Sequence, residues 1–211
     1  MDPRSPQGTD RAVPAVSPSG DGYSSLLLFA RNFVKHPRML GSVIPSSRYL
    51  IRRVLRHVDW ERADLVVEYG PGVGTFTREI LARLKPQARL VAIETNREFV
   101  EHLRNTVSDP RLSVVEGSAA EVEDILARLH LHGADYVVSG IPFSTLPPEL
   151  RRDILEATRA VLKPGGEFLV YQFSSSVLPH LRRVFGTVER GFEPRNVLPA
   201  HWFRCRNEAR G

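Results

Sequence analysis

The sequence predicts an α/β fold: a mostly parallel seven-stranded sheet with helices on both faces and an amphipathic helix ahead of it. Three observations lead there. From Ala63 onward, apolar runs of strand length alternate with segments of helical period. A glycine-rich turn, Gly70-Pro71-Gly72-Val73-Gly74, joins the first run to the first of these helices. Two further extended segments near the C-terminus can add a hairpin at one sheet edge.

The elements follow in order. Residues 1–22 are rich in Pro, Ser, Gly and Asp, with too few large apolar side chains to pack, and read as a disordered tail. Residues 23–58 read as two helices. The first sets Leu26, Phe29, Ala30 and Phe33 on one face, with Arg31 and Lys35 opposite. The second starts near Ser46, a candidate N-cap. Residues 59–206 form the sheet domain, and 207–211 a C-terminal tail. Its strands are expected in 63–69, 88–95, 111–117, 134–140 and 166–173. Helices are expected in 75–84, 97–105, 120–129, 148–162 and 177–185, with the closing hairpin built from 187–194 and 201–206.

Composition bounds the function. At 211 residues with 42% apolar content, the chain suits one domain with appended sequence. It has no apolar run near the roughly 20 residues that a membrane-spanning helix needs. It also has no apolar leader, so a cytoplasmic protein is expected. Cys205 is the single cysteine, which excludes an intrachain disulfide or a cysteine metal cluster, and no metal is expected. The formal charge of +5, with arginine far outnumbering lysine, favours anionic partners such as nucleic acid or an anionic membrane face. The bland alternative is a solvated basic surface. A monomer is expected.

The stretch Val66-Val-Glu-Tyr-Gly-Pro-Gly-Val-Gly-Thr75 carries the chemistry. Gly70, Gly72 and Gly74 lie where a strand must turn sharply into a helix and let a ligand approach its backbone. A dinucleotide fingerprint would need glycine at position 75, where Thr75 stands. Glu68, at the strand's carboxyl end, opposes a pyrophosphate and suits a cation. This E-x-G-x-G-x-G pattern resembles the first motif of class I S-adenosylmethionine-dependent methyltransferases. The resemblance implies a Rossmann-like fold, with S-adenosylmethionine as cofactor and S-adenosylhomocysteine as product. It implies that Glu68 positions the methionine ammonium and that Glu94, ending strand two, takes the ribose hydroxyls. Gly117, Ser118 and Ala119 would form the adenine turn, although Ser118 stands where an aspartate is common. The alternative is a Rossmann-like turn with no cofactor and two solvated acids.

Strand four exits through Ser139-Gly-Ile-Pro-Phe143. Amino-methyltransferases acting on nucleobases often carry N/D-P-P-Y here, with an amide or carboxylate accepting from the exocyclic amine. Phe143 keeps the ring, but Gly140 replaces the amide, which weakens a nucleobase reading. With the first helix, Gly41-Ser-Val-Ile-Pro-Ser-Ser-Arg48 and Asn196-Val-Leu-Pro-Ala200, the chain resembles soluble bacterial phosphatidylethanolamine N-methyltransferases, which are peripheral membrane enzymes making phosphatidylcholine. That resemblance implies methylation of the lipid amine and its mono- and dimethyl forms at the inner membrane face, with nucleic acid not a partner. The catalytic candidates are Ser139, Phe143 and Tyr171, the two rings facing the methylammonium head. Tyr171 reads equally as a core ring. Ser46 and Ser47 are placed near the transferred methyl and Arg48 near the lipid phosphate. Arg182, Arg183 and Arg195 are weaker phosphate candidates, and His180 and His201 are not assigned as bases. The ribosomal RNA adenine dimethylases are the second resemblance. A small-molecule N-methyltransferase and a non-catalytic, cofactor-binding membrane adaptor remain as alternatives.

Overall fold

Apolar runs of Leu, Val, Ile and Ala build the centre of the sheet, because strands covered on both faces have no solvent side for polar residues. The computed structural model describes residues 46–208. The expected tail at 1–22, the expected helix bearing Leu26, Phe29, Ala30 and Phe33, and the last three residues lie outside them. Five strands run parallel: β1 (Leu65–Tyr69), β2 (Arg89–Glu94), β3 (Leu112–Glu116), β4 (Ala134–Ser139) and β5 (Leu162–Gln172). β7 (Ala200–Arg206) is antiparallel to β5, and β6 (Val188–Glu193) pairs outside it. The sheet order is β3-β2-β1-β4-β5-β7-β6. Order reverses between β1 and β4, so a crevice opens beyond their carboxyl ends, where ligands bind in open α/β sheets.

Alternation along β1 divides the core. Val66 faces α1 (Arg48–Leu55) and α2 (Thr75–Leu81), packing with Leu50, Ile51, Val54, Phe76 and Ile80. Leu65, Val67 and Tyr69 face α4 (Val122–Arg128), α5 (Pro148–Val161) and α6 (Leu178–Phe185) on the other side. α3 (Arg97–Thr106) follows β2, capped by Asn96, whose side chain accepts from the Glu98 N–H. Among the described residues, no helix is long and apolar enough to cross a membrane.

Three expected boundaries are corrected. α1 is capped by Ser47, not Ser46, since the Ser47 hydroxyl accepts from the Leu50 N–H at 3.2 Å. No domain boundary falls between residues 58 and 59, because α1 buries Leu50, Ile51, Val54 and Leu55 in the sheet's own core. Each such side chain contributes about 1.5–3 kcal/mol. At the other end Asn207 is tied down rather than part of a tail. Its amide donates to the Leu162 carbonyl at 2.7 Å, and its backbone pairs with Gly165 and Gly166.

Candidate functional site

Gly70, Gly72 and Gly74 all adopt left-handed backbone angles, with φ of 66°, 55° and 81°. A side chain is strained in that region. At Gly74 the space is closed as well: a Cβ would lie 2.5 Å from Leu103 Cδ2. The loop thus keeps a bare backbone beside the end of β1. Glu68 is 1% exposed there, on the α2 face. One carboxylate oxygen accepts from the Thr77 hydroxyl at 2.7 Å, while Oε1 is buried without a partner. Burial, reinforced by the charge of Glu94, pushes the Glu68 carboxyl up to about 8. An unpartnered buried acceptor of this kind is costly until a donor reaches it, and a cationic ammonium would satisfy it.

Glu94 stands at the end of β2, buried, and holds the loop in register. Its Oε2 accepts from the Gly72 N–H at 3.1 Å and its Oε1 from the Asn96 N–H at 2.9 Å. Burial raises its carboxyl, against the backbone donors that lower it. Each oxygen keeps a further lone pair for a vicinal diol. A cavity of about 190 Å³ opens beside it, lined by Gly70, Ile93, Glu94, Gly117, Ser118, Ala119 and Ile141 among others. Ser118 closes a capping box with Glu121, its hydroxyl oxygen accepting from the Ala120 N–H while its O–H can still donate. A purine ring would meet backbone, apolar walls and this hydroxyl here rather than an aspartate. These residues fit an adenosyl cofactor: Glu68 at its ammonium, Glu94 at its ribose, and the Gly117–Ala119 turn at its base.

At the neighbouring end of β4 and β5, Gly140 and Tyr171 form a matched pair. A Cβ at position 140 would lie 2.5 Å from the Tyr171 hydroxyl oxygen and 2.8 Å from Cζ. The phenol thus fills the space that any side chain at 140 would need. Its ring stacks on Phe76 at 4.3 Å between centroids and 11° between planes. Burial and the charges of Glu68 and Glu94 raise the Tyr171 hydroxyl, while a hydrogen bond with Ser46 opposes them. That phenol stays neutral. Ser46 thereby reaches the site from outside the sheet domain's expected limits. The next residue is pinned in turn, as the Ser47 N–H donates to Asn196 Oδ1 at 2.7 Å.

The structure separates the other candidates. Ser139 is fully buried, and its Oγ accepts from the Ile141 N–H at 3.2 Å, shaping the strand exit. The expectation that Phe143 faces the methylammonium head is corrected. Its ring is 0% exposed and meets Phe168 edge-on at 6.2 Å inside the core. Arg48 is exposed, its guanidinium 5.0 Å from the Tyr49 ring centroid, and Arg195 covers the same ring at 4.3 Å. Arg183 and His180 line a separate groove of about 760 Å³ that also takes in Arg151, Arg152 and Arg159. Arg182 and Arg183 line a further hollow with Phe185 and Gly186. Neither contains a residue of the glycine loop. His201 lies tilted against Phe192, with 5.0 Å between ring centroids. Sequence reasoning missed Thr77, Phe76 and Tyr49 as supporting residues. It noted the Asn196 segment but not its partner. Thr77 lies only nine residues from Glu68, but the Phe76–Tyr171, Tyr49–Arg195 and Ser47–Asn196 pairings join residues far apart in the chain, and no local signal names them. Among the described residues, no group of three or more His, Cys, Asp or Glu side chains could hold a metal ion.

Comparison with known proteins adds an independent line. The family description "Methyltransferase domain" matches residues 66–166. The chain is 36% identical over 181 residues to an ornithine lipid N-methyltransferase of Singulisphaera acidiphila, covering 85% of this chain and 94% of that protein. It is also 30% identical to a ribosomal RNA small subunit methyltransferase A of a Synechococcus strain, of which it spans 54%. In fold it is similar to an O-methyltransferase from Bacillus cereus bound to S-adenosylhomocysteine, with TM-score 0.68, 11% identity and coverage of 90% and 92%. The N-methyltransferase NodS from Bradyrhizobium japonicum, with the same ligand, gives TM-score 0.62, 16% identity and coverage of 90% and 100%. The cofactor is accordingly S-adenosylmethionine, with S-adenosylhomocysteine as product. Kinship along most of both chains with a lipid N-methyltransferase, on a fold shared with structures that hold the spent cofactor, leads to one conclusion: the chain belongs to the class I S-adenosylmethionine-dependent methyltransferases.

Proposed function

We propose that this protein methylates the amine of a membrane aminolipid, namely phosphatidylethanolamine and its mono- and dimethyl forms, working as a peripheral monomer on the cytoplasmic face of an anionic membrane. The observation that carries this reading is the Ser46–Arg48 segment folded over the methyl-transfer end of the site. Ser46 acts on the Tyr171 phenol there, and Arg48, two residues on, is exposed against Tyr49. The bound cofactor supplies an electrophilic methyl on a sulfonium centre. Tyr171 offers an oxygen lone pair that orients an amine for in-line attack, at the place where nucleobase enzymes use an amide. A primary ammonium titrates near lysine's value of roughly 10, so its proton must leave before the nitrogen attacks. The half-buried Tyr171 ring, backed by Phe76, suits the methylated ammonium that accumulates.

Ornithine lipid is a second reading, favoured by the 36% identity to the Singulisphaera acidiphila protein. It presents a primary amine without a phosphate, so the two readings differ in what Arg48 would do. The test mixes the full chain with labelled S-adenosylmethionine and vesicles of phosphatidylethanolamine, vesicles of ornithine lipid, or structured RNA. Label in methylated phosphatidylethanolamine, reduced by Arg48→Ala with S-adenosylhomocysteine affinity unchanged, is the expected result. Label confined to ornithine lipid transfers the assignment to that substrate, and label confined to RNA sinks both.

A further inference from the structure

Large apolar side chains are scarce on the surface of the described residues, and their location is not random. Among the described residues, the exposed ones are Phe192, Val197 and Leu198, at 50%, 70% and 40% exposure. All three fall within seven consecutive residues, at the end of β6 and in the connection to β7. Single exposed apolar residues need no explanation, but a concentrated patch marks an interaction surface. This connection lies at the edge of the sheet where β1 to β5 end, because β6 runs parallel to β5 through their shared antiparallel partner. It is held to the substrate side of the site by Asn196. The Asn196 side chain takes the Ser47 N–H and donates to the Leu198 carbonyl at 2.9 Å.

Beside the apolar residues stands a cluster of guanidinium groups. Arg195 and Arg48 both lie over the half-buried Tyr49 ring, and Arg52 is close enough to act on the Tyr49 hydroxyl. Arg53 and Arg195 share one carboxylate, Glu193, at 3.6 and 3.0 Å. Two of these four arginines thus share a single buried acid, and no acid pairs with the other two among the described residues. Apolar side chains at a loop tip, bordered by an aromatic ring and arginines, suit insertion below the headgroups of an anionic bilayer with cations at the phosphate level. A second copy of the chain fits less well, since a two-fold contact would bring the same four cations face to face.

Resting on the lipid-methylation reading, we propose that the β6–β7 connection, with Phe192, Val197 and Leu198 inserted and the arginines around Tyr49 on lipid phosphates, is the surface that docks this protein on an anionic membrane. In that pose the Tyr171–Gly140 end of the site faces the bilayer. An aminolipid then reaches it without leaving the membrane.

The test measures co-sedimentation of the full chain with vesicles of phosphatidylethanolamine and phosphatidylglycerol. The Val197→Asp, Leu198→Asp double variant should partition at least about tenfold more weakly, with S-adenosylhomocysteine affinity by calorimetry unchanged. Arg52→Gln should weaken partition roughly fivefold at low salt, with the difference fading as salt rises. Where the double aspartate variant does not fold, Val197→Ser with Leu198→Ser takes its place. A folded variant that partitions like the unaltered chain overturns the proposal. So does an unaltered chain that ignores these vesicles, or one that dimerises through these residues. Methyl transfer to aminolipid in detergent micelles is read in parallel. No transfer from the unaltered chain removes the lipid-methylation reading, whereas transfer in micelles with vesicle partition indifferent to positions 197 and 198 removes only the docking surface.

Discussion

The two halves of the site are built on different principles. The cofactor half is local: Glu68, three left-handed glycines and Thr77 lie within ten residues, and Glu94 joins them from the adjacent strand. The proposed substrate half is assembled from distant pieces. Ser47 meets Asn196 across 149 residues, and Tyr171 of β5 fills the space left by Gly140 of β4. A local site is fixed once its strand and helix form. A distant one depends on every element between its parts, so related chains can vary it while keeping the cofactor half.

The largest effect that would break this contrast is expected at Gly140. Gly140→Ala must displace the Tyr171 phenol, whose ring is held on its stack with Phe76. A misplacement of that size should lower methyl transfer by at least about a hundredfold. S-adenosylhomocysteine affinity, measured by calorimetry, should change less than about threefold; a large loss would mean that the two halves are not separable.

Glu68→Gln probes the other half. In the free protein the carboxyl keeps its proton up to about pH 8, while a cationic ammonium demands the carboxylate. Affinity for S-adenosylhomocysteine should therefore rise from pH 6 to pH 8, by up to about tenfold per unit, and Glu68→Gln should flatten that rise. Stability runs the opposite way. A folded value raised above the usual 4.5 gives a contribution complete below about 4.5 and lost as pH passes through about 8. The ligand-free Gln variant should thus melt at least about 4 °C higher than the unaltered chain at pH 8.5. A lower melting temperature would contradict the burial account.

The smallest effect is expected from Asn196→Ala, which leaves the Ser47 N–H without its acceptor. One hydrogen bond of this kind is worth about 0.5–1.5 kcal/mol, so KM for lipid should rise by roughly three- to tenfold. An unchanged KM would show that the join between the two segments does not shape substrate binding.

Much of the fold was legible because its signals are short-range. Alternation of apolar runs with helical periods marked the strands and helices, and the late extended segments marked the edge hairpin. Glu68, Glu94 and the glycines were legible for the same reason: a tight strand-to-helix turn restricts residue types at fixed spacing. Phe143 was misread because a ring after a strand exit has the same sequence signature whether it points into the crevice or, as here, onto Phe168. The N-cap fell to Ser47 rather than Ser46 because either serine satisfies the pattern, and only the folded backbone sets the Ser47 hydroxyl against the Leu50 N–H.

The sequence by itself determined the sheet domain, its turn and the two acids, since backbone sterics and side-chain period act between near neighbours. Only the tertiary structure decided that the Tyr171 phenol occupies the place of a missing amide, that Asn196 clamps Ser47, and that the exposed apolar residues gather on the rim beside four arginines. Those outcomes depend on which surfaces the closed core brings together, and closure joins residues whose separation along the chain carries no local signal.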